Sequence, residues 1–255
     1  MPYFKLFELK VKTTKHCLII PVLNEGKRFI QQLNKLEKYS NKIDIIIVDG
    51  GSTDGSIDVL WLRKKKVKSL LIKEKSSGLS TQLRIGFEYA LNLSYQGIVT
   101  IDGNNKDNIN SVPSFIEELD SGFDFIQGSR YLKGGKSINT PLIRTLAIKL
   151  IHVPFINFIS NFHFTDTTNG FRAYSAKYLL NPEVQPFRNI FKTYELLAYL
   201  SVKAPKLGLL TKEIPTIREY PLKGDTPTKI KGFKGNLRLL KILFLLYFNA
   251  FDPKP

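Results

Sequence analysis

Ile45-Ile46-Ile47-Val48 runs without a break into Asp49-Gly50-Gly51-Ser52-Thr53-Asp54-Gly55-Ser56, an apolar stretch cut off by carboxylates, glycines and small hydroxyls. Four consecutive β-branched residues bounded by turn formers suit a strand covered on both faces, as in a parallel sheet between helical layers. The polar tail then falls at the carboxyl end of that strand, the edge of an open α/β sheet where ligands bind. Gly50, Gly51 and Gly55 let backbone come close to a ligand, and Asp49 and Asp54 offer acceptors for ribose or base donors.

A second junction of this kind lies upstream, where Cys17-Leu18-Ile19-Ile20 leads into Pro21-Val22-Leu23-Asn24-Glu25-Gly26. Two such edges predict one crevice. Predicted strands at 16–22, 43–49, 68–73 and 97–102 alternate with predicted helices at 26–38, 55–64 and 79–93, which implies right-handed parallel connections. Beyond residue 102 the alternation loosens. Ser111-Val112-Pro113 opens a helix through Leu119, and Phe123 to Gln127 makes a further strand. Residues 141–160 read as helix with apolar side chains nearly all round, either buried or in contact with lipid, and Pro154 divides it into two segments.

The 255 residues suffice for one large α/β domain, and neither a linker nor a repeat divides them. Cys17, the single cysteine, lies inside an apolar strand and is expected to be a small core residue. The amino terminus carries Lys5, Lys10, Lys12 and Lys15 but no continuous apolar core, so it is not a secretory signal and a cytoplasmic protein is expected. The net charge of +16 points to a polyanionic partner, either nucleic acid or an anionic membrane face. Nucleic acid is disfavoured, because no recognisable binding motif or aromatic platform accompanies the basic residues. A dinucleotide oxidoreductase is disfavoured too, since no Gly-x-Gly-x-x-Gly follows a strand. Arg63-Lys64-Lys65-Lys66-Val67-Lys68 is expected to be a solvated face. Lys223, Lys229, Lys231, Lys234, Arg238 and Lys241, with only Asp225 against them, lead into an apolar run through Phe248 that is too short to span a bilayer. That segment reads as a helix in the headgroup layer or as a core helix, and the chain divides into a domain over 1–222 and a basic, apolar-ended segment over 223–255.

Pro-x-x-Asn-Glu at 21–25 followed by Val-Asp-x-Gly-Ser-Thr-Asp at 48–54 resembles the nucleotide-sugar half of family 2 glycosyltransferases. The resemblance implies a GT-A fold, a mostly parallel sheet flanked by helices, and a donor site that includes Pro21, Asn24, Glu25, Asp49, Gly51, Ser52 and Asp54, with Lys75 placed to reach the phosphates. The strand ending at Ile101 leads into Asp102-Gly103-Asn104-Asn105-Lys106-Asp107, where the family carries an Asp-x-Asp that holds a divalent ion against the sugar diphosphate. Only Asp102 matches outright. Asn104 replaces the second carboxylate and Lys106 a polar residue, which weakens a site for Mg²⁺ or Mn²⁺ because a hard cation prefers anionic oxygens. Two outcomes are open: Asp107 restores the second charge, or Lys106 itself neutralises the diphosphate.

Gln127-Gly128-Ser129-Arg130-Tyr131, followed by Arg144, resembles a narrower group, the polyprenyl-phosphate sugar transferases typified by dolichyl-phosphate mannose synthase. That likeness implies an acceptor phosphate held by Arg130 and Arg144, whose planar forks bind phosphate oxygens in pairs. Asp166, within Thr165 to Tyr174, and Arg172 match the segment that completes the acceptor side, and Tyr194-Glu195, Ile214 to Arg218 and Thr228-Lys229 match later family positions. The implied reaction is inverting transfer from a nucleotide sugar to a lipid phosphate at the inner face of the membrane. The alternative is a transferase of the same fold acting on a glycan hydroxyl in surface polysaccharide, with Asp166 or Glu195 as its base.

Overall fold

The computed structural model describes residues 3–73, 78–222 and 232–254. Its first half runs β1 (Phe4–Glu8), β2 (His16–Val22), α1 (Lys27–Leu36), β3 (Asp44–Asp49), α2 (Val59–Lys64), β4 (Ser69–Lys73), α3 (Leu79–Asn92) and β5 (Gly97–Thr100). The second half adds α4 (Val112–Asp120), β6 (Phe125–Ser129), β7 (Lys136–Ile138), α5 (Leu142–Ala147), α6 (Val153–Ser160), β8 (Arg172–Ser175), α7 (Ala176–Leu180), α8 (Glu195–Lys206), β9 (Thr211–Pro215), β10 (Ile217–Glu219) and α9 (Gly232–Tyr247). α2 begins later than the sequence predicts, because the Asp58 carboxylate caps it by accepting from Trp61 N at 2.6 Å.

Eight strands form one sheet in the order β1-β4-β3-β2-β5-β8-β6-β9, in which β1 and β8 run against the rest. Side chains alternate across it. Cys17, Ile19, Ile46 and Val48 face the layer of α3 and α8, while Leu18, Ile20, Ile45 and Ile47 face Phe29 and Leu33 of α1 and Phe115 of α4. β3 and β4 extend the sheet from one side of β2 and β5 lies on the other, so the chain reverses direction at the β2–β5 boundary. A crevice opens beyond the carboxyl ends of strands at such a reversal.

Two expectations change. Lys68 is buried rather than solvated, and its Nζ lies 3.0 Å from Glu8 Oε1 of β1, a strand the sequence did not announce. The backbone is helical throughout from Leu142 to Ser160, and Ile148–His152 winds as a π-helix instead of breaking at Pro154. The wider turn accommodates the proline, whose ring would otherwise meet the carbonyl four residues earlier.

Candidate active site

Backbone and short polar side chains stitch the loops after β2 and β3 together. Asn24 Oδ1 accepts from Thr53 N at 2.7 Å, and Asn24 N donates to Ser52 Oγ at 2.9 Å. Asp49 accepts from Ser52 Oγ at 2.6 Å, and Asp54 accepts from Gly26 N at 2.7 Å and Ser56 Oγ at 2.6 Å. Burial works against the Asp54 charge, but these donors hold its carboxyl below the usual range. Gly51 has φ 93°, a conformation that suits glycine and lets the loop turn. Of the expected donor-site residues in these loops, Pro21 and Glu25 line the crevice, while Asn24, Asp49, Gly51, Ser52 and Asp54 are not among its lining residues. Gln82 of α3 was not singled out by the sequence; its Nε2 donates to Val22 O at 2.9 Å and Val48 O at 2.8 Å, tying the ends of β2 and β3 to the crevice wall. Lys75 and the Thr228-Lys229 pair lie outside the described residues.

The loop after β5 is dominated by an arginine that sequence matching placed on a later strand without a role in the site. Arg218 Nη2 donates to Asp102 Oδ2 at 2.7 Å, while Nη1 donates to Asp107 Oδ2 and, at 3.1 Å, to Asn169 Oδ1. Burial disfavours the charge on Asp102, yet Arg218 and Lys106 beside it hold its carboxyl below the ordinary range. Asp107 is pushed the other way by burial, Arg218 offsetting part of the shift. Lys106 is 6% exposed, so it does not turn to solvent, and burial together with Arg218 pushes its ammonium down to about 7. Gly170 packs against Asp102: a Cβ there would stand 2.6 Å from Asp102 Oδ1.

Arg130, expected to hold the acceptor phosphate, is already engaged by other side chains. Its Nε and Nη2 donate to Asp166 at 2.6 and 2.9 Å, and Nη2 also donates to Thr168 Oγ1 at 2.6 Å. Asp166 is fully buried in this pairing, and Arg130 holds its carboxyl below the usual range against the effect of burial. Arg172 does not line the crevice; its nitrogens donate to the carbonyls of Asn169, Leu197 and Thr167 and to Ser201 Oγ, which ties β8 to α8. Glu195 accepts from Thr193 N at 2.6 Å and Thr193 Oγ1 at 2.7 Å at the start of α8. Arg144 reaches the crevice from α5, with its guanidinium carbon 5.7 Å from the Tyr220 ring centre. The crevice, about 260 Å³, thus gathers Lys106, Arg130, Arg144 and Arg218 together with Glu25 and Asp102.

The glycosyl transferase family 2 model matches residues 17–180, well over half of the chain. The chain belongs to that family. This glycosyltransferase is 26% identical over 206 residues to polyprenol monophosphomannose synthase of Mycolicibacterium smegmatis, covering 80% of this chain and 77% of the relative. It is 28% identical over 246 residues to UDP-N-acetylglucosamine–dolichyl-phosphate N-acetylglucosaminyltransferase of Methanococcus voltae, covering 88% of this chain and 94% of the relative. Among solved structures, glucosyl-3-phosphoglycerate synthase of Mycobacterium tuberculosis, crystallised with Mn²⁺, UDP and glucosyl-3-phosphoglycerate, superposes with a TM-score of 0.62 at 14% identity, over 91% of this chain and 76% of that one. A mannosyltransferase of Pyrobaculum calidifontis in complex with GDP-Man and Mn²⁺ gives 0.54 at 13% identity, over 82% of this chain and 58% of that one. The fold is GT-A.

The family's divalent ion does not fit the side chains that this glycosyltransferase presents. Asp107, one of the two ways left open for restoring the missing charge, is fully buried on Arg218 and is not part of the crevice wall. Asn104 turns its amide towards Asp102 at 3.5 Å and its carbonyl towards Lys106 N at 3.3 Å. Asp102 thus remains the single carboxylate of the three expected ligands at the crevice, with Arg218 already on one oxygen and Lys106 close by. Among the described residues no group of three or more His, Cys, Asp or Glu is arranged to hold a metal.

Proposed function

We propose that this glycosyltransferase moves a sugar from a nucleotide diphosphate to a polyprenyl phosphate at a membrane surface, with inversion at the anomeric carbon. The observation that carries this reading is the basic lining of the crevice, which gathers Lys106 and Arg144 beside Arg130, paired with Asp166, and Arg218, paired with Asp102 and Asp107. A phosphate acceptor is ionised at neutral pH, so the reaction asks for positive charge and positioning more than for a base. The relatives that act, by name, on polyprenol and dolichyl phosphate support the same acceptor class. The glycan-hydroxyl alternative would require a carboxylate base, and both candidates are bound elsewhere: Asp166 to Arg130, Glu195 to Thr193. Arg144 is the arginine best placed to meet the acceptor phosphate. Arg130, held by Asp166, contributes charge to the wall behind it.

The surface beside the crevice supports a membrane-lying orientation. Leu142, Ile143, Leu150 and Phe158 project outward from the 142–160 helix, the first and last at 74% and 73% exposure, while Ile148, Ile156 and Ile159 face the core. α9 is divided in the same way: Ile242, Leu243 and Leu246 are buried, whereas Leu237, Leu240 and Phe244, with Phe248 just beyond its end, are exposed. Phe158 and Tyr247 stack at 6.2 Å, which joins the two exposed apolar faces into one. Lys149, Arg238 and Lys241 lie along the same two helices, a composition suited to an anionic leaflet.

The test is transfer from a panel of labelled nucleotide sugars, GDP-mannose and UDP-glucose included, to polyprenyl phosphate, polyprenol and oligosaccharide acceptors. Product is expected with the phosphate and not with the alcohol. Transfer to an oligosaccharide hydroxyl, with none to the lipid phosphate, would overturn this acceptor class.

A further inference from the structure

We propose that this glycosyltransferase stabilises the departing nucleoside diphosphate with its own cations, Lys106 and Arg218 held around the Tyr220 ring, and works without a divalent ion. The inference rests on the nucleotide-sugar reading of the crevice. In the transfer, the bond from the sugar anomeric carbon to the donor's β-phosphate oxygen breaks, and its electron pair stays on that oxygen. An oxygen of the acceptor phosphate forms the new bond to the same carbon, and no proton moves. The negative charge that grows on the diphosphate is what a metal neutralises elsewhere, and here the nearest positive groups are side chains.

Tyr220 is the organising element, and neither the sequence nor the family motif drew attention to it. It is 3% exposed, and its ring centre lies 4.7 Å from Lys106 Nζ, 5.7 Å from the Arg144 guanidinium carbon and 6.0 Å from that of Arg218. Three cations so close repel one another, and an aromatic face is a partner that attracts all of them without neutralising any.

The backbone fixes this group. Glu219 N donates to Lys106 O at 2.8 Å, and Asn108 N donates to Ile217 O at 2.8 Å, so the 106–108 loop pairs with β10. On its other side β10 pairs with β7, and Tyr220 N donates to Ile138 O at 3.0 Å. Lys106, Arg218 and Tyr220 therefore sit on adjoining extended segments, and Asp102 with Asp107 sets the plane of the Arg218 guanidinium. Charge held in place before the reaction costs no reorganisation during it. A divalent ion brought to Asp102 would instead enter beside Arg218 and Lys106, with Asp102 the one carboxylate among the expected ligands to receive it.

The experiment titrates GDP and UDP into the full chain by calorimetry, in EDTA and in Mn²⁺. The nucleotide that binds is expected to do so with a Kd that changes by less than about threefold between the two conditions. Tyr220→Leu should weaken binding in EDTA by about tenfold, whereas Tyr220→Phe, which keeps the ring, should match the parent. Asn104→Asp combined with Lys106→Gln, which supplies the missing carboxylate and removes the ammonium, should bind at least about tenfold more tightly in Mn²⁺ than in EDTA. A parent protein that loses about tenfold in affinity in EDTA and regains it with Mn²⁺ would overturn the proposal, and a double variant still indifferent to Mn²⁺ would overturn the role of Lys106. If neither nucleotide binds in either condition, the donor reading fails and takes the inference with it.

Discussion

Replacing Asp166 by Asn separates a structural carboxylate from a chemical one. In the folded chain Asp166 accepts from Arg130 Nε at 2.6 Å, Arg130 Nη2 at 2.9 Å and Thr168 N at 3.1 Å, and both charged side chains are almost fully buried. An amide of the same shape cannot compensate the guanidinium, and removing one partner of a buried pair costs about 3–5 kcal/mol because the other charge remains. For a chain of this size each kcal/mol moves the melting temperature by about 2–4 °C, so a fall of roughly 10 °C is expected. Urea unfolding should show a lower midpoint with the same slope. Arg130→Met should cost a similar amount, and the double variant Arg130→Met with Asp166→Asn should recover about 3 kcal/mol relative to the sum of the singles, the coupling of the pair. The reasoning is refuted if Asp166→Asn leaves stability within about 1 kcal/mol of the parent while turnover collapses. That result would make Asp166 a base and return the hydroxyl acceptor to first place.

Gly170→Ala should leave the melting temperature within a few degrees, because the contact it creates is with the end of the Asp102 side chain, yet turnover should drop by about tenfold or more as that carboxylate is displaced; unchanged kinetics would remove Asp102 from the reaction. Asp49→Ala should lose most nucleotide affinity by releasing the Ser52 loop, and equal calorimetric titrations for variant and parent would move the donor out of this crevice. Charged replacements at Leu142, Ile143 and Phe158 should abolish co-sedimentation with anionic liposomes while nucleotide binding survives, and pelleting that persists would place the membrane contact elsewhere. His152, pushed down to about 4 by burial and by Arg172, with Asp166 opposing and Thr167 hydrogen-bonded to it, titrates lower in the folded chain than in the unfolded one. The unfolded chain therefore takes up the proton first. Stability should be full above about pH 6.5 and fall by as much as about 3 kcal/mol as pH drops towards 4, a loss that His152→Gln should blunt in acid titrations followed by fluorescence.

The parallel half of the fold was legible because its signal is local. Ile45–Val48 and Leu18–Ile20 are buried on both faces, and short polar loops follow them directly, so composition and position agree. β1 was illegible for the opposite reason. Phe4–Glu8 is a half-exposed edge strand whose reason to exist is its antiparallel register with Ser69–Lys73, more than sixty residues away. The loops after β2 and β3 were marked out by motif, while the motif did not say that Asp49 and Asp54 would be turned inward to bind backbone and hydroxyls. Arg218 was matched to a family position but its place beside Asp102 went unread, and Tyr220 escaped altogether, because no spacing in the chain connects them with Asp102 or Lys106. Only the pairing of β10 with the 106–108 loop brings them together.

The wide turn at Ile148–His152 keeps the rotational phase between two halves of one helix. Successive residues of an α-helix are offset by about 100° around the axis. In the wide turn the amide reaches back five residues rather than four, so one extra residue is taken up inside it while the flanking turns keep nearly the phase of an unbroken helix. With α6 pinned by Ile156 and Ile159, deleting one residue within Ile148–His152 would restore ordinary winding and leave Arg144 towards Tyr220 and Leu142 and Ile143 exposed. The same deletion in the regular winding of α5 would instead turn those side chains by about 100°, so the wide turn is the one place in this helix where a change of length by one residue is silent at both the crevice and the outer apolar face.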